Sequence, residues 1–116
     1  MRSNTSNTRF ALDTAPLRGQ MLAGSMPHLH VVVRGRVQGV GFRYFVLKRA
    51  RALSLTGHVR NRPDGTVEAE AEGPRSALEA WLEQLREGPA GARVDGVDER
   101  WGDEGSGFER FEIVGS

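Results

Sequence analysis

The 116 residues hold one domain, with or without a tail, and not several, since autonomous domains commonly run to about 100 to 150 residues. At 38% hydrophobic and 27% charged the composition is that of a folded soluble protein; no apolar stretch approaches the roughly 18 residues that span a bilayer, and the absence of cysteine excludes disulfides, zinc ribbons, iron–sulfur sites and thiol nucleophiles. The net charge of +1 conceals a split, because Val31 to Pro63 contains eight basic residues and no acid, whereas Asp64 to Ser116 sums to −9.

Residues 1–27 are rich in Ser, Asn, Thr, Arg and Gly without periodic apolar spacing, which predicts a flexible N-terminal tail, and they lack the continuous apolar core of a secretory signal. The domain is expected over 28–116. Leu29 to Val33 is a β-branched run suited to a buried strand, closed by Arg34-Gly35. Phe42, Phe45, Val46, Ala50 and Leu53 then mark one face of a helix over about Phe42 to Leu53. Leu55 to Asn61 reads as a second strand, Arg62-Pro63-Asp64-Gly65 as a hairpin turn and Thr66 to Glu72 as a third strand. Its Glu-Ala repeat favours helix on propensity, but strict alternation of Val67, Ala69 and Ala71 with Glu68, Glu70 and Glu72 directly after a turn favours a strand with one wet face. Ser76 and Glu79 have the spacing of a capping box opening a second helix, whose stripe is Leu78, Trp81, Leu82 and Leu85 and whose stop is Gly88-Pro89. Val94 to Trp101 and Phe108 to Val114 complete the chain as strands around a Gly-Ser-Gly loop. The most economical packing of this order is one antiparallel sheet with both helices on one face, the split βαβ or ferredoxin-like α+β sandwich.

The densest chemical signal is Gly35-Arg36-Val37-Gln38-Gly39-Val40-Gly41-Phe42-Arg43, where the first strand must turn into the first helix. Glycines there open backbone angles closed to other residues and let a ligand approach the peptide N–H groups, and the helix N-terminus adds a dipole that attracts anions. Arg43 sits in the first helical turn, where that dipole repels a cation. A bound anion that accepts two parallel hydrogen bonds from the guanidinium would reverse the penalty. An ordinary Gly-rich connection with Arg43 on the surface is the competing reading. Neither a P-loop nor a dinucleotide fingerprint is present, since the sole lysine, Lys48, follows Leu47. Asn61, ending the second strand, is either a turn residue making bonds to nearby backbone or a carboxamide able to orient a water. His28, His30 and His58 show no metal-ligand spacing with each other or with a carboxylate on a common face, Glu79, Glu83 and Glu87 mark a solvated helix face, and no serine lies in a nucleophile elbow.

Taken together, the Gly35 to Arg43 stretch and Asn61 within Gly57-His58-Val59-Arg60-Asn61-Arg62-Pro63-Asp64-Gly65-Thr66-Val67 resemble the acylphosphatase family over about Leu29 to Ser116. The resemblance implies a ferredoxin-like sandwich that hydrolyses small acyl phosphates to a carboxylate and inorganic phosphate, with no metal and no cofactor. It also implies that Arg43 is the phosphate-binding arginine, Asn61 the water-orienting asparagine, and Gly35, Arg36, Val37, Gln38, Gly39, Val40 and Gly41 the cradle of backbone donors. His58 departs from the aromatic residue, commonly Trp, that family members often carry there. A cytoplasmic monomer that binds neither nucleic acid nor membrane is expected. A non-catalytic anion- or RNA-binding module of the same fold is the alternative, weakened by the acidic face of Glu68, Glu70 and Glu72 and by the lack of an aromatic RNA-stacking pattern. A detached relative of the acylphosphatase-like domain in hydrogenase-maturation carbamoyltransferases is a third reading, against which stands the lack of zinc-finger cysteines.

Overall fold

The computed structural model describes residues 25–104 and 107–115; the expected tail lies outside the described residues up to position 24, as do residues 105 and 106 of the Gly-Ser-Gly loop. In chain order the elements are β1 (Ser25–Arg36), α1 (Phe42–Ala52), β2 (Thr56–Asn61), β3 (Val67–Glu72), α2 (Arg75–Glu87), β4 (Arg93–Glu104) and β5 (Phe111–Ile113). They form one five-stranded sheet in the order β4-β1-β3-β2-β5. All three pairings among β4, β1, β3 and β2 are antiparallel, as expected. The fifth departs from an all-antiparallel sheet: β5 lies parallel to β2, with Gly57 opposite Phe111 and Val59 opposite Ile113. Three strands also differ in length from expectation. Pairing with β4 extends β1 to Ser25 and Arg36, and β4 itself runs to Glu104, whereas β5 keeps only three residues.

Alternation sorts the strand residues between two faces. Leu29, Val31 and Val33 of β1, Val59 of β2, Val67, Ala69 and Ala71 of β3, and Phe111 of β5 are buried toward the helices. From α1 come Phe42, Val46, Leu47 and Ala50, and from α2 Leu78, Trp81, Leu82 and Leu85, so one core joins both helices to one face. Trp81 is fully buried, lies edge to face with Phe111 at 5.9 Å and donates from Nε1 to the Val46 carbonyl at 3.3 Å, which ties α2 to α1. Truncation to alanine would leave a large cavity among residues from three elements. Trp81→Ala is expected to cost about 3–5 kcal/mol, read as a lower urea midpoint at unchanged slope.

The capping box expected at Ser76 and Glu79 does not form. Pro74, at φ −59° and ψ 144°, is the N-cap and makes no side-chain cap, its carbonyl accepting from the Leu78 N–H at 3.0 Å. Proline's fixed φ suits a helix start, so the helix opens two residues earlier than the box requires. Ser76 then falls inside the first turn, and Glu79 instead accepts from Arg75 at 3.1 Å.

The opposite face of the sheet is open and polar. Cross-strand register sets His28 and His30 of β1 beside Glu70 and Glu68 of β3, with ring-to-carboxylate distances of 3.3 and 2.7 Å. This overturns the expectation that these histidines share no face with a carboxylate, because adjacency across strands depends on register and not on spacing along the chain. Among the described residues, no helix is long and apolar enough to cross a membrane.

Candidate active site

Val33, Val67 and Asn61 stand in one row across β1, β3 and β2. Asn61 shares the parity of Gly57 and Val59, so its Cβ is directed to the helix side of the sheet. Beyond Val33, β1 must deliver the chain to α1, which packs over β2 and β5. The connecting loop therefore crosses above the row that ends in Asn61, and this places the glycine stretch and Asn61 at the same end of the sandwich. Gln38 fixes the crossing: its Nε2 donates to the carbonyls of Arg62 at 2.8 Å and Thr66 at 2.9 Å, binding the loop to the β2–β3 hairpin.

The stretch expected to form the cradle is divided between the end of a strand and a loop. Gly35 and Arg36 are the last residues of β1, opposite Val94 and Arg93 of β4. Gly35 is required for packing, because a Cβ there would lie 2.1 Å from the Arg93 carbonyl oxygen at a β1 register shift. Outside both strand and helix are Val37, Gln38, Gly39, Val40 and Gly41, with the Val37 side chain buried in the core. Gly41 is the N-cap of α1 in the left-handed region, at φ 80° and ψ 16°, where an L side chain is strained, and open space surrounds it.

The N-terminus of α1 has no side-chain cap and no acidic residue in its first turn. The first N–H groups of a helix lack intrahelical partners, so this end presents unmet donors and positive dipole potential. Arg43 adds a full positive charge there, partly exposed and with no hydrogen bond or ion pair among the described residues. A hollow of about 200 Å³ opens beside it, lined by Val37, Gly39, Gly41, Arg43, Tyr44 and Ile113 among others. Tyr44 and Ile113 are two of the few large hydrophobic residues left exposed among the described residues, at 59% and 40%. A larger hollow of about 440 Å³ involves His58, Arg60 and Phe108 on the open face and has neither glycine loop nor helix terminus.

Asn61 does not make the local turn bonds that the simpler reading assigned to it. Those belong to Asp64, whose Oδ1 accepts from the Thr66 hydroxyl at 2.6 Å and from its N–H at 3.0 Å; the hydroxyl bond first, then the backbone bond, hold the Asp64 carboxyl below its usual range. Asn61 Oδ1 is buried and without a hydrogen-bond partner among the described residues. A buried carbonyl oxygen in that condition is costly unless something else donates to it. Two contributors to this end of the molecule were not anticipated. The Gln38 side chain was expected to serve only through its backbone, and Ile113, 70 residues from Arg43, is brought in by the parallel pairing of β5 that no local pattern encodes.

This combination of a glycine loop, an uncapped helix bearing Arg43 in its first turn and an asparagine at the same end stands on a sheet that also resembles known proteins as a whole. A family model described as acylphosphatase matches residues 29–113. The chain belongs to the acylphosphatase family. The acylphosphatase of Salinibacter ruber is 50% identical over 93 residues, covering 80% of this chain and 98% of that relative. That of Thermus thermophilus is 50% identical over 88 residues, covering 76% and 99%. The crystal structure of acylphosphatase from Bacillus subtilis superposes with a TM-score of 0.76 at 43% identity, covering 77% of this chain and 99% of that one. The chain thus carries a whole acylphosphatase domain, and its fold is the ferredoxin-like sandwich of that family.

Proposed function

We propose that this member of the acylphosphatase family hydrolyses small acyl phosphates to a carboxylate and inorganic phosphate. The single observation that carries the reading is the uncapped, acid-free N-terminus of α1 with Arg43 in its first turn, unpaired among the described residues, a concentration of positive potential that is stabilised once a dianionic phosphoryl group occupies it. In this reading the N–H groups between Val37 and the first turn of α1, together with the Arg43 fork, hold the phosphoryl oxygens. The Asn61 carboxamide accepts from a water and aligns it opposite the acyl oxygen. Water oxygen bonds to phosphorus, the bond from phosphorus to the acyl oxygen breaks, the electron pair leaves with the carboxylate, and the water proton passes to a phosphoryl oxygen. A carboxylate with a conjugate-acid pKa near 4 is a good leaving group. Positioning and charge stabilisation therefore suffice, and no side-chain base or metal ion is called on. Tyr44 and Ile113 offer an apolar wall for the acyl group.

We place this activity in a cytoplasmic monomer that engages neither nucleic acid nor membrane. The RNA-binding reading is disfavoured by the open face, where His28, His30 and Arg60 are already engaged with Glu70 and Glu68. Purified protein is expected to hydrolyse benzoyl phosphate at the same rate with and without EDTA. Absence of hydrolysis by folded protein would overturn the assignment in favour of a binding module, and loss of rate with EDTA would overturn its independence of metal.

A further inference from the structure

On the face of the sheet opposite α1 and α2, His30 Nε2 and one carboxylate oxygen each from Glu68 and Glu70 all lie within 4.8 Å of one another. We propose that His30, Glu68 and Glu70 form a site for a divalent transition-metal ion such as Zn2+, separate from the phosphate site. The three atoms converge from adjacent strands: Glu70 stands directly opposite His30, and Glu68 lies one residue pair further along the same face. In a tetrahedral zinc site with bonds of about 2.0–2.2 Å, ligand atoms are roughly 3.3–3.6 Å apart. His30 Nε2 is 2.7 Å from Glu68 Oε2 and 4.0 Å from Glu70 Oε2, so small side-chain rotations bring the three into that range.

The two remaining carboxylate oxygens are held from outside the cluster. Arg60 donates to Glu68 Oε1 at 2.6 Å, and the His28 ring lies 3.3 Å from Glu70 Oε1. Each carboxylate thus has one oxygen anchored and the other turned toward His30. That division of labour is the arrangement that orients ligands in metal centres, where ligating carboxylates are themselves hydrogen-bonded. The cluster is partly shielded, its three side chains being 21%, 14% and 26% exposed. Two carboxylates neutralise a divalent ion, and an imidazole with carboxylates suits zinc over magnesium or calcium. Bound metal would join β1 to β3 at the centre of the sheet and stabilise the native state by mass action.

Zinc titration of the untagged, EDTA-stripped protein by calorimetry, paired with thermal melts, tests the site. One zinc per chain and a rise in melting temperature are expected. His30→Ala and E68Q should each weaken zinc binding at least about tenfold, the lower end of what loss of an outer partner alone costs in metal sites; Arg60→Gln, which releases only the outer oxygen, should weaken it less. Far-UV circular dichroism of the metal-free variants reports whether they fold, and E68Q, nearly isosteric, carries the test if His30→Ala does not. The site is overturned if wild-type protein takes up no zinc, or if folded E68Q binds it as tightly as wild type.

Discussion

Arg43→Ala is expected to abolish phosphate binding and hydrolysis together while leaving the protein as stable as before, or slightly more so. The guanidinium supplies the only full charge proposed to contact the phosphoryl group, through two charge-assisted hydrogen bonds, in a position where it contacts no other described residue through a bond. A single electrostatic donor lost from a preorganised site commonly costs a hundred- to a thousandfold in rate, and a charged bidentate donor stands at or beyond the upper figure, about a thousandfold. Removing a cation from the first turn of α1 also relieves repulsion by the helix dipole, an effect of about 0.3–1 kcal/mol. The combined signature is a variant with an undiminished melting temperature that neither shows phosphate-dependent shifts by NMR nor turns over benzoyl phosphate. Activity within tenfold of wild type would exclude Arg43 from the site. Arg43→Lys keeps the charge but not the planar fork, and should recover part of the binding and little of the rate.

Asn61→Ala is expected to divide what Arg43→Ala removes together. Its activity should fall by roughly two to three orders of magnitude, with phosphate bound about as tightly as by wild type, because the carboxamide is assigned to the water and not to the phosphoryl group. Direct titration with inorganic phosphate, by calorimetry or NMR, distinguishes the two variants without relying on residual rate. Since Asn61 Oδ1 has no partner within the described protein, its removal breaks no described bond, and an unchanged melting temperature beside the fall in rate assigns the loss to the site and not to the fold. Equal loss of phosphate binding in both variants would sink this separation of roles.

How far these residues were legible depended on whether their signal was local. The helix stripe of α1, the alternation of β3, the turn at Arg62 to Gly65 and the glycine loop into a helix are each set by neighbours within a few positions, and all appear at the expected places. The capping box failed for an equally local reason, because Pro74 started the helix first. Asn61 was visible as a candidate, but its two readings could be separated only by the Asp64 bonds to Thr66 and the empty Oδ1. Gln38 and Ile113 had no distinguishing local signal, since one acts through a side chain reaching another hairpin and the other arrives by a parallel pairing.

The opposed charges of the two halves of the chain show the same boundary. Sequence alone established a basic segment around the glycine loop, an acidic remainder, the period of each element and the family resemblance, because composition, spacing and motif order are properties of a line. Tertiary structure decided which of those charges meet: Arg34 lies 3.3 Å from Asp98 and Arg60 2.6 Å from Glu68, pairing members of the basic block with the acidic half across the sheet, while Arg43 is left at the helix end without a partner among the described residues. An exposed pair such as Arg34 with Asp98 contributes little to stability. The consequence of the two pairs is to offset two of the block's eight cations across the sheet, while Arg43 keeps its charge at a helix terminus. Strand register and the path of the β1–α1 loop determine that outcome, and both are fixed by burying one face of each strand against two helices, a condition that no single segment can satisfy by itself.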